Sequence, residues 1–347
     1  MNTEKANPTL EDIASQVGVS IATVSRVINA SGPVRKEVEA RVKQVIAELG
    51  FEPRRKRAKS RAKSAMIACI APEFLNPANA QILTGIQEES EKIGIQLLIV
   101  PVSEKPGSLH QNLQVLKQIA IDGVILHHLG VGPQEIFEVC NRQDMPMVVL
   151  RRDLATPRIH CIDTDRENGM YQAAKFLLNL NHTQIAYLSS SPGSEVAQAR
   201  LRGVRRALHE ANFALRPELH RECLSTVDDG FRAANNLLQL PVGKRPTAIL
   251  AYNDLVAIGT LHAIRTAGLT IPEDVSVVGF DNIPLTSHTN PPLTTVAQPH
   301  YQKGQLAVQK LYYSLNGNDE TDREGLTLLE CSLVVRESTG PCCRKTN

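Results

Sequence analysis

The stretch TLEDIASQVGVSIATVSRVIN, Thr9 to Asn29, reads as two short helices joined by a tight turn. Thr9 is placed to cap the first helix, with Asp12 standing where a capping box usually has Glu or Gln, and Ile13, Ala14 and Val17 form an apolar face at helical spacing. Gly18 ends that helix. Val19 stays apolar, Ser20 caps a second helix, and Val24, Val27 and Ile28 recur at the three- and four-residue steps that bury one side. The other side carries Ile21, Ala22, Thr23, Ser25, Arg26 and Asn29, small or hydrogen-bonding groups short enough to let a helix sit deep in a DNA major groove. By periodicity alone, an ordinary helical hairpin with a polar outer face fits equally well.

Outward from this pair, Ser31 to Pro33 reads as a loop, and Val38, Val42, Val45, Ile46 and Leu49 make the apolar stripe of a third helix that Gly50 stops. Three helices around one core complete a small module over residues 1–52. Arg35, Lys36 and Arg41 are placed to meet phosphate, and a solvated helix face explains each of them as well. Residues 53–64 follow as a linker in which PRRKRAKSRAK, Pro53 to Lys63, holds seven Lys or Arg and no acid, the composition of a basic tether. The formal net charge is only +2, yet residues 1–65 hold 13 basic and 7 acidic side chains, against 25 and 29 in the remainder. A basic head on a mildly acidic body suits one polyanion-binding module attached to a body that is not one.

From Ala65 the pattern changes to short apolar runs separated by amphipathic segments of helical length. The runs are AMIACIA at 65–71, IQLLIV at 95–100, GVIL at 123–126, MVVL at 147–150, QIAYL at 184–188, TAILAY at 247–252 and VSVVGF at 275–280. Such an order predicts parallel sheets with helices on both faces, and seven or more strands over this length fit two Rossmann-like lobes better than one sheet. Ligands of such sheets bind beyond the carboxyl ends of the strands, where this chain places His127 and His128, Arg151 to Asp153, Asp163 and Asp165, Ser189 to Ser191, Asn253 and Asp254, and Asp281 and Asn282. Loops are polar in any protein, which accounts for part of that set. Its recurrence predicts a polar ligand without naming one.

The run GVSIATVSRVIN, preceded by TLEDIA, resembles the DNA-binding headpiece of the LacI/GalR family of bacterial transcription regulators. The likeness continues through DGVIL at Asp122, RLRG at Arg200, YNDLVAIG at Tyr252, IPEDVSVVGFDNIPL at Ile271 and PPLTTVAQP at Pro291. It implies an all-α helix-turn-helix headpiece plus an α/β effector-binding body of two lobes, built like the periplasmic sugar-binding proteins. The body is expected over residues 65–340, with an N-lobe of about 65–179 and 299–325, a C-lobe of about 180–298 and 326–340, and a tail at 341–347. The implied partners are a double-stranded, palindromic operator, a second copy of the chain and a small polar effector, a sugar, nucleoside or derivative. Ile21, Ala22 and Arg26 are expected at base edges, with Ser20, Thr23, Ser25 and Asn29 at phosphates. Thr9, Arg35, Arg54, Arg55, Arg57 and Ser60 complete the DNA-facing set. In the effector site, Arg200 would hydrogen-bond the ligand, Asn253 would lie beside it, Asp281 would take a pair of hydroxyls, and Asp165 would be a fourth contact although Arg166 follows it where Asn is usual. A carboxylate accepts two neighbouring hydroxyls and Arg donates in a fork, which together orient a polyol or ribose.

The chain departs from the family pattern in three places. The hinge segment of relatives folds on the operator and wedges a Leu into the minor groove, whereas here the usual Asn is Arg54 and the wedge position is Ser60, which cannot unstack a base step. Less kinking and more salt-sensitive contact are expected. Where many relatives have NPFF after the first strand, this chain has Asn76, Pro77, Ala78 and Asn79, and the second ring-stacking position is Ser225. The missing aromatic clamp argues against a plain hexose. The C-terminal third, Asp274 to Thr339, is similar to that of the cytidine repressor, which makes a nucleoside one candidate.

Other classes are disfavoured. No GxSxG, HExxH, P-loop or GxGxxG-after-strand arrangement is present, so an enzyme is not expected. Seven scattered cysteines without a CxxC pair indicate neither a disulfide framework nor a metal, and no cofactor is expected. The N-terminus lacks the layout of a signal peptide and no apolar run reaches membrane length, so a cytoplasmic regulator is expected rather than a solute-binding protein of the same body fold. The tail, STGPCCRKTN, has no heptad repeat, which favours a dimer.

Overall fold

The computed structural model describes residues 9–29, 34–49, 65–72, 76–101, 121–127, 146–151, 160–191, 193–316 and 325–343, with isolated positions at 111, 115, 116, 118 and 119. The chain divides into two compact units, Met1–Lys59 and Ser60–Asn347.

The first unit contains α1 (Leu10–Val17), α2 (Ile21–Asn29) and α3 (Lys36–Leu49). Thr9 and Asp12 close a reciprocal capping box, in which Thr9 Oγ1 accepts from the Asp12 N–H and the Asp12 carboxylate accepts from the Thr9 N–H at 2.7 Å. Gly18 takes the left-handed conformation (φ 78°) that turns the chain toward α2, a conformation in which a Cβ is strained. Ser20 then caps α2 by accepting from the Thr23 N–H. Ile13, Ala14, Val24, Val42 and Val45 form the core, with Val17, Val19, Val27, Val38, Ile46 and Leu49 packed around it.

The second unit holds two six-stranded sheets. In the first, β11 (Leu326–Leu329), β5 (His160–Thr164), β4 (Met147–Val149), β3 (Gly123–Leu126), β1 (Met66–Ala71) and β2 (Gln96–Pro101) lie in that spatial order, all parallel. In the second, β12 (Ser332–Val334) runs antiparallel beside β10 (Thr294–Ala297), followed by β9 (Ser276–Asp281), β8 (Ala248–Ala251), β6 (Ile185–Ser189) and β7 (His220–Glu222) in parallel. Helices α4 (Pro77–Ile93) and α9 (His300–Leu315) pack together on the first lobe. Helices α5 (Arg166–Asn179), α6 (Glu195–Glu210), α7 (Val227–Leu238) and α8 (Asp254–Thr266) pack as two pairs on the second. Strands β3, β8 and β9 are buried along their whole length, as continuous apolar strands covered on both faces must be.

Glycines set the closeness of these helix pairs. A Cβ on Gly85 of α4 would collide with the Tyr301 carbonyl of α9, and one on Gly304 of α9 with the Ile82 carbonyl of α4.

Two lobe boundaries differ from expectation. The first crossing was expected near Asn179, but the chain leaves the first sheet at Thr164, and α5 packs against α6 and the second sheet. The third was expected in the 320s, but β11 pairs with β5 in the first sheet, and the chain changes lobes at Glu330 and Cys331. The physical reason is tertiary in both cases: α5 packs against α6 and the second sheet, and β11 finds a parallel partner in β5, contacts that no change in hydropathy marks. The second crossing runs from Ala297 to His300, around the expected Gln298. Within the expected tail, the Cys342 N–H is held by the Leu180 carbonyl, and residues 344–347 lie outside the described ones.

Candidate functional site

In the headpiece, burying Val24 against α1 and α3 leaves the opposite face of α2 outward. Ile21 is 44% exposed, Ala22 and Arg26 are exposed, and Thr23 and Ser25 are half-buried. The Ser20 and Thr23 hydroxyls are 2.9 Å apart at the start of α2, and Arg35 is exposed at the start of α3. This is a short polar face with a single long cation, Arg26, which fits insertion into a groove. The Asn29 side chain, and Arg54, Arg55, Arg57 and Ser60 of the hinge, lie outside the described residues.

In the body, the second sheet delivers its polar groups to the carboxyl ends of β8 and β9. Arg200, on the second turn of α6, is 4% exposed, and its guanidinium lies between the rings of Phe280 (4.0 Å) and Tyr252 (4.3 Å). It donates through Nη1 to the Tyr252 carbonyl and through Nη2 to Asp281 Oδ1 at 3.2 Å. Its Nε is buried without a hydrogen bond. Asp281 ends β9 with φ 117°, a strained backbone for a residue with a Cβ, and its Oδ1 also accepts from Gln298 Nε2 at 2.6 Å. Burial raises the Asp281 carboxyl, but the Arg200 charge, together with His300 and Gln298, outweighs it and holds the group below the usual carboxylate range.

Asn253 is buried and engaged as the cap of α8, its Oδ1 accepting from the Val256 N–H at 3.0 Å. Beside it Asp254, 1% exposed, accepts from the Thr295 hydroxyl (2.6 Å) and the Ile283 N–H (2.8 Å). Burial and the nearby Asp281 charge push its carboxyl up to about 8, so it carries a proton at neutral pH.

The first lobe answers across the crossings. The Thr164 hydroxyl at the end of β5 donates to Gln298 Oε1 at 2.5 Å, so Gln298 joins β5 of one lobe to Asp281 of the other. Asp163 holds Arg166 Nη2 at 2.6 Å and Lys303 Nζ at 3.1 Å. Burial raises the Asp163 carboxyl, and those two cations more than reverse it. Lys303 is 3% exposed, and burial, only partly offset by Asp163, pulls its ammonium down to about 8.

Of the sequence-predicted effector residues, Arg200 and Asp281 touch, and Asn253 adjoins the Tyr252 carbonyl that Arg200 binds. Asp165 lies at the first crossing, half-buried and capping α5 through the Asn168 N–H. Ala78 is buried and Asn79 half-buried in the first turn of α4, after β1. Ser225 is half-buried ahead of α7, and no described hydrogen bond joins it to the Arg200–Asp281 pair. Lys303, Arg166 and His300 were not singled out by sequence reading. The available signal was a Lys and a His at a lobe crossing, in a helix face whose neighbours are Gly304, Ala307 and Val308.

The headpiece and the cleft together match known proteins end to end. Residues 9–54 match the family model described as bacterial regulatory proteins, lacI family, and residues 174–339 match that of a periplasmic binding protein-like domain. The HTH-type transcriptional regulator DegA of Bacillus subtilis is 33% identical over 96% of this chain and 98% of its own. The HTH-type transcriptional repressor CytR of Escherichia coli is 29% identical over 95% and 96%. A lac repressor dimer solved with operator and the anti-inducer ONPF superposes with a TM-score of 0.71 at 28% identity, covering 96% of this chain and all of the other. With a capped helix-turn-helix at one end, a two-lobed body at the other and relatives spanning both, the chain belongs to the lacI family of bacterial DNA-binding transcriptional regulators.

Proposed function

We propose that this regulator represses transcription as a dimer on a palindromic operator, and that a small polyol- or ribose-bearing effector in the interlobe cleft controls it. The carrying observation is the buried Arg200–Asp281 pair, whose Arg200 Nε has no hydrogen bond at the strand ends where ligands of such sheets bind. A ligand hydroxyl or ring oxygen would complete that donor. On the DNA side, Ile21, Ala22 and Arg26 meet base edges, and Ser20, Thr23, Ser25, Asn29, Thr9 and Arg35 meet phosphate. Arg54, Arg55 and Arg57, with Ser60 at the wedge position, make the hinge contact electrostatic, so affinity falls steeply with salt. Acting on DNA places the protein in the cytoplasm. Among the described residues no helix is long and apolar enough to cross a membrane.

Effector and operator are linked reciprocally: a ligand that weakens DNA binding is itself weakened by DNA. Gln298, hydrogen-bonded to both lobes, is the contact through which closure over the ligand would be felt at the crossings.

Two measurements test this reading. Operator selection from random-sequence DNA should return inverted repeats, and single half-sites would sink the dimer. A thermal-shift screen of pentoses, hexoses, nucleosides, purines and sugar phosphates should find a stabilising class, because a ligand at about 100 times its Kd adds about 2.7 kcal/mol. Arg200→Ala should abolish that shift. A screen in which nothing shifts would transfer control to a protein partner.

A further inference from the structure

The lobe crossings carry an excess of hydrogen-bond donors over acceptors. One carboxylate, Asp163 at the end of β5, serves two cations from two different crossings: Arg166, which starts α5, and Lys303, in the first turn of α9. Lys303 has one further hydrogen bond, to the Leu150 carbonyl at 3.0 Å, while an ammonium has three protons to place. His300, 6% exposed, has neither ring nitrogen in a hydrogen bond, its nearest anion being Asp281 at 3.8 Å. His300 and Gln298 line a cavity of about 500 Å³ together with Gln81, Thr84 and Asn282.

Charge points the same way. Among the described side chains here, buried Arg200 and Lys303 and half-buried Arg166 face Asp163 and Asp281, while Asp254 carries a proton at neutral pH and half-buried Asp165 caps α5. A buried cation short of acceptors is costly unless something supplies them.

We infer that the effector carries an oxyanion, a phosphate or carboxylate attached to its polyol or ribose body, and that Lys303, Arg166 and His300 meet it. This rests on the cleft being the effector site, with the oxyanion lying on the crossing side and the hydroxyls on the Arg200–Asp281 side. Parting of the lobes about the crossings admits the ligand, and closure buries its charge against Lys303.

The test is calorimetry and thermal shift on the full chain with matched pairs at constant ionic strength: ribose and ribose 5-phosphate, adenosine and adenosine monophosphate, glucose with glucose 6-phosphate and glucuronate. The phosphate and carboxylate arms separate the two oxyanions. At least one oxyanion-bearing member should bind about tenfold or more tighter than its neutral partner, the worth of one charge-assisted hydrogen bond. Lys303→Met, which keeps the length of the side chain without the charge, should erase most of that preference. Equal or tighter binding of the neutral members overturns the inference and leaves the cleft reading standing, as does an unchanged preference in Lys303→Met. Binding that survives Arg200→Ala counts against the cleft itself, and no binding by any compound overturns both. The wild-type comparison decides even where a variant fails to fold.

Discussion

In the headpiece, the residues proposed to face DNA stand in solvent, with Ile21 44% exposed and Arg26 exposed, whereas in the body Arg200, Asp281 and Lys303 are each 4% exposed or less. Both regions are proposed recognition sites, yet they manage their polar groups oppositely. A groove reader needs an outward face whose groups are hydrated until DNA replaces the water, so its side chains contribute little to folding. A cleft that closes over a small molecule keeps charge out of water permanently, and each ion must then be held by another. Recognition and stability should therefore separate in the first unit and be inseparable in the second.

The largest expected effect tests the second half of that contrast. Asp281→Ala would leave Arg200 buried with only the Tyr252 carbonyl, and breaking a buried pair in this way costs about 3–5 kcal/mol. Urea unfolding of the body should show the loss. A change below about 1 kcal/mol would mean that water reaches the pair and that the contrast is overdrawn.

Next comes pH. The folded Asp254 carboxyl titrates near 8 against an ordinary value of 3.8, so between those limits the folded chain binds more protons than the unfolded one. Its contribution is fully present below the unfolded value and is lost as pH rises through about 8. Asp281 has the opposite sign: its folded value is depressed, so its stabilisation is present above the unfolded value and is lost as pH falls through the folded one. Stability contributed by Asp254 should fall as pH rises from the unfolded value of 3.8 to about 8 and level off above it, and Asp254→Asn should flatten that limb. The amide oxygen can still accept from the Ile283 N–H, as the carboxyl oxygen does. A variant with an unaltered slope over that window would overturn the assignment to Asp254; Lys303, whose folded ammonium is lowered from 10.5 to about 8, has the opposite sign and makes stability rise with pH in that range.

In the headpiece the corresponding core change is Ile13→Ala, which removes a fully buried side chain from a core of five and should cost about 2–5 kcal/mol. Operator binding should disappear while the melting of the body stays put. A shift in both transitions would contradict their independence. Smallest in stability is Arg26→Ala, expected to leave unfolding unchanged while weakening the operator by about 1–3 kcal/mol and relaxing one base position. Uniform weakening across sequences would instead make Arg26 a phosphate contact.

Much of this molecule can be read without coordinates. The headpiece is short-range: Thr9, Asp12, Gly18 and Ser20 act on backbone groups within a few residues, and the apolar positions repeat at helical spacing, so local rules reach from sequence to fold. The buried strands β1, β3, β6, β8 and β9 are legible because a parallel strand covered on both faces is a continuous apolar run. Strands β5, β7, β10, β11 and β12 are not. HCIDT, HRE and SLV are short or carry polar groups at a sheet edge or a lobe crossing, and only their partners make them strands.

Arg200, Asn253 and Asp281 are proposed from family likeness, Asn253 and Asp281 also from strand-end position, and neither needs a contact map. What tertiary structure alone decided is who meets whom across the lobes: Thr164 with Gln298, Gln298 with Asp281, and Asp163 with both Arg166 and Lys303. Asp163 and Lys303 are 140 residues apart, and nothing in the spacing of either announces the other. Their pairing exists because two crossings bring the end of one strand beside the first turn of a distant helix, in an interior where an unpaired charge could not remain.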